Sequence, residues 1–426
     1  MSRRSFLGDM LQTLVERSTA RPGTGDDRSI RDMCLSLLAS EGEVSGIALA
    51  QNILDRYKRM DTGEKLAFFQ FLNVELEIDP KALQGAVTRF TASNDITDYR
   101  AIGALAEPRR QELLRRLNQP TGATQALVNM RKDLIEAVKT SPDLARTDLD
   151  FKHLLRSWFN RGFLVLRQIS WETPASILEK IVEYEAVHAI HDWDDLRRRL
   201  YPQDRRCFAF FHPSMPDEPL IFVEVALTMT VPNSIQHVLS ENRDPRAAHE
   251  TNVAVFYSIS NCQAGLAGIS FGSLLIKQVA AELHQELPQL ETFVTLSPIP
   301  RLSKYLAEQK HTPRAAEVLS GTAEPEQVRE AARDYLLSAK DAKGRPYDPV
   351  ARFHLGNGAQ IYAVHAEADL SENGRKQSRG AMVNYQYELS QIEQNHEKFV
   401  QEGEICLAPA LRAEVKAASK KNRAMA

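Results

Sequence analysis

Val253-Ala254-Val255-Phe256-Tyr257-Ser258-Ile259-Ser260, followed by Asn261-Cys262-Gln263-Ala264-Gly265-Leu266-Ala267-Gly268-Ile269-Ser270-Phe271-Gly272-Ser273, is the stretch that decides the fold. The first part is rich in β-branched and aromatic residues, the composition of a strand. Glycines then interrupt it, and from Phe271 to Leu287 the apolar residues Leu274, Leu275, Val279, Leu283 and Leu287 recur at helical spacing. Phe293-Val294-Thr295-Leu296 reads as a second strand. Strand, glycine-bearing turn, helix and strand make a βαβ unit, so an α/β domain is expected around it.

Upstream of this unit more strand-like runs accumulate. Cys207 to Phe211 and Leu220 to Thr228 flank His212-Pro213-Ser214-Met215-Pro216-Asp217-Glu218-Pro219, the pattern of a hairpin with a long turn. Phe163 to Leu166 is a short apolar run, and Pro174 to Glu185 reads as a helix. Before residue 150 the character is different. Ile30, Met33, Cys34, Leu37 and Leu38 form one helix stripe; Ile53, Leu54 and Tyr57 a second; Leu66, Phe69, Leu72 and Val74 a third. Asp61-Thr62-Gly63 separates the last two as a turn with a helix cap. Further helices are expected near 81–91, 107–118 and 123–140. The expected organisation is therefore a helical bundle over 1–150, with a possible role in assembly, and an α/β domain over 151–426.

The whole chain has 426 residues, with 53 Lys plus Arg against 56 Asp plus Glu. This balance argues against a chain devoted to coating nucleic acid or an anionic membrane. No apolar run approaches the roughly 20 residues a membrane span needs. Cys34, Cys207, Cys262 and Cys406 are far apart, which fits reduced thiols rather than a disulfide scaffold or a zinc knuckle. Arg3, Arg4 and Arg17 precede no secretory-type apolar core, so a cytoplasmic location is expected, with a mitochondrial matrix address left open. The basic runs Arg197 to Arg199 and Arg205-Arg206 read either as a solvated face or as phosphate ligands.

Several residues are candidates for chemistry. Gly265, Gly268 and Gly272 allow close backbone approach, and the helix that follows presents free N–H groups to an anion. The spacing is neither a Walker A loop nor a Rossmann fingerprint; it lies near, without matching, the coenzyme A loop of acetyltransferase-type folds. In Leu296-Ser297-Pro298-Ile299-Pro300 the prolines fix a turn and are expected to stop the sheet there, leaving the Ser297 hydroxyl at a strand end where open α/β sheets bind ligands. His354 stands between Phe353 and Leu355, just before the Asn357-Gly358 turn signal, with His365 and His396 as competitors. His188 and His191 lack the partners of a metal site, and His212 reads as a turn histidine.

Taken together and in order, Phe256 to Ser260, Gly265 to Gly268, Leu296 to Pro300, Phe353 to Ala359, Ala368-Asp369-Leu370-Ser371 and Met382-Val383-Asn384-Tyr385 resemble the malonyl-CoA decarboxylase family. The resemblance implies a helical N-terminal domain and an acetyltransferase-like (GNAT-like) α/β catalytic domain. It implies conversion of malonyl-CoA to acetyl-CoA and carbon dioxide with no metal and no organic cofactor. The family's catalytic serine falls on Ser297 and its histidine on His354. Its CoA-contacting loop falls on Ala267, Gly268, Ile269, Ser270, Phe271, Gly272 and Ser273. Some relatives carry Glu where this chain has Ser270, so a carboxylate role has no counterpart at that position. A homodimer or homotetramer is also implied. The competing readings are a CoA-dependent acyltransferase on the same fold and a non-catalytic CoA-binding scaffold.

Overall fold

The computed structural model describes residues 27–269 and 275–425, with side chains to residue 418. The chain divides into two compact units. The first holds residues 27–163 together with two short returns of the chain, 212–216 and 263–269. Eight α-helices are described in it: α1 (Ile30–Ala39), α2 (Glu43–Arg59), α3 (Thr62–Val74), α4 (Pro80–Ser93), α5 (Ile96–Ala106), α6 (Arg109–Leu117), α7 (Ala123–Thr140) and α8 (Ala145–Trp158).

The expected stripes face inward. Met33, Cys34, Leu37, Ile53, Phe69 and Leu72 are buried in one continuous core. The third stripe ends at Leu72, two residues sooner than its spacing suggests, because Val74 at the end of α3 is 71% exposed. Asp61-Thr62-Gly63 starts α3 with a reciprocal cap: Glu64 N–H donates to the Asp61 carboxylate at 2.9 Å, and Asp61 N–H to the Glu64 carboxylate at 3.0 Å. The periodicity passed over α5 because that helix buries none of its residues.

The second unit holds 164–211, 217–262 and 275–425. Its strands are β1 (Val165–Ile169), β2 (Arg205–Phe211), β3 (Ile221–Thr228), β4 (Val253–Asn261), β5 (Thr292–Thr295), β6 (Ser297–Pro298), β7 (Gln360–His365) and β8 (Met382–Gln386). Its helices are α9 (Ala175–Tyr184), α10 (Trp193–Leu200), α11 (Ile235–Leu239), α12 (Leu275–Glu286), α13 (Leu302–Glu308), α14 (Pro313–Ser320), α15 (Pro325–Ser338), α16 (Pro349–Gly356), α17 (Glu372–Ser378), α18 (Ile392–Glu402) and α19 (Pro409–Met425).

Strands β1 to β4 form an antiparallel meander, β4 pairs parallel with β5, and β8 pairs antiparallel with β5, β6 and β7. The expected α/β domain after a helical region is thus present as an open mixed sheet. The order β4–α12–β5 is the expected βαβ unit.

Two irregularities of the sheet prepare the site. Glu224 opposes Ser258 but Val225 opposes Phe256, so Tyr257 is an extra residue that bulges β4. Parallel pairing between β4 and β5 ends at Phe256 and Thr295. Beyond that point β4 continues to Asn261 beside β3, while the other chain turns toward β8. The strands therefore part at Thr295. The prolines do not stop the sheet as the sequence suggests: Ser297 and Pro298 pair with Val383 and Met382. A two-residue edge segment accommodates Pro298, which has no N–H to offer a ladder.

Candidate active site

Ser297 stands at this parting of the strands and His354 lies directly behind it. The histidine is placed by α16, whose start is strongly specified. Pro349 occupies the first helical position, and the Asp348 carboxylate accepts from the N–H groups of Val350 (2.9 Å) and Ala351 (3.0 Å). Tyr335 Oη donates to the other Asp348 oxygen at 3.2 Å. The Asn-Gly signal at 357–358 ends the helix. Gly358 has φ +82°, and a Cβ there would stand 2.1 Å from the Ile392 carbonyl oxygen, so only glycine fits. His354 falls in the last turn before this stop, facing the sheet.

The two predicted residues meet. Ser297 Oγ is 3.1 Å from His354 Nε2, and they are 5% and 2% exposed. Ser297 Oγ donates to Thr295 Oγ1 at 2.8 Å, and Thr295 Oγ1 also accepts from Tyr385 N–H at 3.1 Å. On the far side of the imidazole, Nδ1 lies 2.7 Å from Tyr387 Oη. The Tyr385 ring stacks on the imidazole with centroids 4.6 Å apart and planes 22° apart. No charged group lies in this chain of contacts. Burial alone therefore acts on the imidazole and lowers its pKa to about 3, leaving it neutral at physiological pH.

Sequence reading missed Thr295 and Tyr387. Thr295 had a usable signal: residues two apart on a strand share a face, so Thr295 and Ser297 point the same way. Tyr387 had none, since its approach to His354 depends on how β8 passes α16. The competing histidines have structural partners. His365 Nε2 meets Asn384 Oδ1 at 2.5 Å, His396 Nδ1 meets the Gly356 carbonyl at 2.7 Å, and His212 meets the Trp158 carbonyl and Ser214 N–H.

The glycine loop is described as far as Ile269 within the first unit; Ser270, Phe271, Gly272 and Ser273 lie outside the described residues. Its earliest glycine has a packing role. A Cβ on Gly265 would stand 1.9 Å from the Val128 carbonyl oxygen of α7. Gly268 has φ +71°, the left-handed region that favours glycine. Arg131, 2% exposed, holds the loop by donating to the carbonyls of Gly265 (2.7 Å) and Ala267 (3.0 Å), while Asp148 takes its Nε–H at 2.8 Å. Sequence reading gave no notice of Arg131, because its partners are 134 and 136 residues away.

A second buried polar cluster lies on the sheet face covered by α9 and α10. Glu224, fully buried, accepts from Arg199 at 3.2 Å, and Arg199 also pairs with Asp195 and donates to the carbonyls of His188 and Ala189. Ser258 Oγ donates to Glu185 at 2.7 Å. The basic runs are thus neither a wet face nor open phosphate ligands at Arg199 and Arg205, which are 4% and 5% exposed. Burial raises the Glu224 pKa to about 8 against the opposing pull of Arg199.

Comparison with known proteins identifies the family. Residues 162–425 match the malonyl-CoA decarboxylase C-terminal domain and residues 76–159 its N-terminal domain. A malonyl-CoA decarboxylase structure from Rhodopseudomonas palustris is 48% identical, covers 92% of this chain and 100% of its own, and superposes with a TM-score of 0.85. One from Agrobacterium vitis is 46% identical over 90% of this chain and 98% of its own, with a TM-score of 0.83. The mitochondrial malonyl-CoA decarboxylase of Anser anser anser is 34% identical over 333 residues, which is 68% of this chain and 66% of that protein.

Proposed function

The chain belongs to the malonyl-CoA decarboxylase family, and from that premise we propose that it converts malonyl-CoA to acetyl-CoA and carbon dioxide by protonating an enolate through Ser297 and His354. The observation that carries the reading is the 3.1 Å contact of Ser297 Oγ with His354 Nε2 where β4 and β5 part. A crevice at such a switch in strand pairing is where open α/β sheets take ligands.

Loss of carbon dioxide breaks the bond between the α-carbon and the carboxylate and leaves the electron pair on carbon, delocalised onto the thioester oxygen. The enzyme must stabilise that charge and supply one proton. A neutral, buried His354 does not do this as a resting cation. Instead the Ser297 hydroxyl gives its proton to the α-carbon, Nε2–H of His354 donates to the alkoxide left on Oγ, and a water proton refills Oγ as the product leaves, so the imidazole keeps its proton on Nε2. One proton is consumed per carbon dioxide released. A positioned general acid of this kind contributes about 10²- to 10⁴-fold.

The loop Ala267 to Ser273 takes the CoA pyrophosphate in this reading. Arg131 supports it by fixing the carbonyls of Gly265 and Ala267. Anchoring the CoA portion turns binding into orientation of the thioester. No helix among the described residues is long and apolar enough to cross a membrane. The four cysteines are unpaired and buried, which suits a reducing compartment such as the cytoplasm or the mitochondrial matrix. We assign the chain to the cytoplasm as a homodimer or homotetramer, which sedimentation of the purified protein checks. Incubation with malonyl-CoA alone tests the activity. Carbon dioxide release without an acceptor is expected; turnover only when an amine is added would identify an acyltransferase instead.

A further inference from the structure

A hydroxyl has one proton, and at Ser297 two neighbours compete for it. The line from Ser297 Oγ runs as a donor to Thr295 Oγ1 at 2.8 Å, while His354 Nε2 lies 3.1 Å away. Once the serine proton is committed to Thr295, the contact with Nε2 holds only if Nε2 carries the ring proton. A neutral imidazole then has a bare Nδ1, which at 2.7 Å can only accept from the Tyr387 hydroxyl. One orientation at Thr295 therefore fixes every later one: Tyr387 O–H to Nδ1, Nε2–H to Ser297, Ser297 O–H to Thr295.

Thr295 is itself held rigidly. It is 0% exposed, its Oγ1 accepts from Tyr385 N–H at 3.1 Å, and its carbonyl accepts from Asn384 Nδ2 at 2.7 Å. It is also the last residue of β5 to pair with β4, so the sheet fixes its position at the point where the strands separate.

We infer that Thr295 is a positioning residue that sets the tautomer of His354, keeping the imidazole proton on Nε2 where it donates to Ser297 Oγ. The inference rests on the Ser297–His354 reading of the site. Without Thr295 the serine proton turns to Nε2, the ring proton moves to Nδ1, and no ring N–H faces Ser297 Oγ. Thr295 touches no reacting atom; it acts through the direction it gives the serine.

The test reads the His354 tautomer directly. The full chain, with histidine nitrogens ¹⁵N-labelled, is examined by NMR, and the His354 signals are assigned by their loss in His354→Asn. The Nε2–H tautomer is expected in the parent and in Thr295→Ser, which keeps the hydroxyl. Thr295→Val is expected to show Nδ1–H, with kcat lowered by up to about 100-fold at nearly constant KM, and Thr295→Ser to recover most of the rate. An Nδ1–H tautomer in the parent protein overturns the inference without recourse to any Thr295 variant. So does a Thr295→Val protein that keeps Nε2–H and the parent kcat. The two readings fail separately: parent-rate turnover by His354→Asn removes the catalytic role, whereas the wrong parent tautomer removes the role of Thr295.

Discussion

The second unit buries two polar groups of residues that differ in one respect. Around Ser297, His354, Thr295 and Tyr387 the buried atoms are hydroxyls and an imidazole, with no charged partner, and desolvation is the sole cause acting on the histidine. Around Arg199, Glu224, Asp195 and Glu185 the groups are charges or potential charges: Arg199 meets Asp195 and one oxygen of Glu224, and Glu185 accepts from Ser258. A buried charge needs its partner or it costs several kcal/mol, so the second group ties α10 to β3. A neutral hydroxyl–imidazole chain makes weaker demands on the fold, and its protons can move without separating charge over long distances. In the proposed mechanism, burial therefore serves stability in one place and proton handling in the other.

Substitutions on the two sides should separate these roles. Ser297→Ala is expected to lower kcat by about 10²- to 10⁴-fold while the denaturant midpoint hardly moves, as measured by carbon dioxide release and urea unfolding of the same preparation. Arg199→Met should do the reverse. It removes the partner of Glu224 and Asp195, so unfolding should show a loss of about 3 kcal/mol, with kcat per folded molecule close to that of the parent. Comparable losses of activity per folded molecule in both variants would erase the distinction.

Tyr387→Phe removes a single hydrogen bond at Nδ1 and leaves the ring in place. A net worth of about 1.4 kcal/mol corresponds to roughly a tenfold fall in kcat. The smallest effect concerns pH. Because burial lowers the His354 pKa to about 3, the imidazole is already neutral throughout the range where an ordinary histidine titrates. The profile of kcat/KM, which reports the free enzyme, should accordingly show no inflection near pH 6.5. A clear loss of activity below pH 6.5 that disappears in His354→Asn would show that the imidazole is more hydrated than its burial implies.

Much of the fold could be read from periodicity. The helix stripes of α1 to α3 and the βαβ unit of β4, α12 and β5 are local patterns, and local patterns carry their own signal. The failures share a physical origin in distance along the chain. Helix α5 buries nothing and so has no stripe. Arg199 looks like a surface residue in a basic run until Glu224, 25 residues later, is brought beneath it. Ser297 and His354 were legible because their motifs occur in order with others. Their surroundings were not, because the bonds that orient them come from Tyr387 and Thr295 through the pairing of β8 with β5 and β6.

The most direct test of the neutral proton chain is carbon dioxide release from malonyl-CoA by His354→Asn, measured per folded molecule beside the parent. A fall of at least about 100-fold with an unchanged unfolding midpoint is predicted. Release at the parent rate would contradict the account.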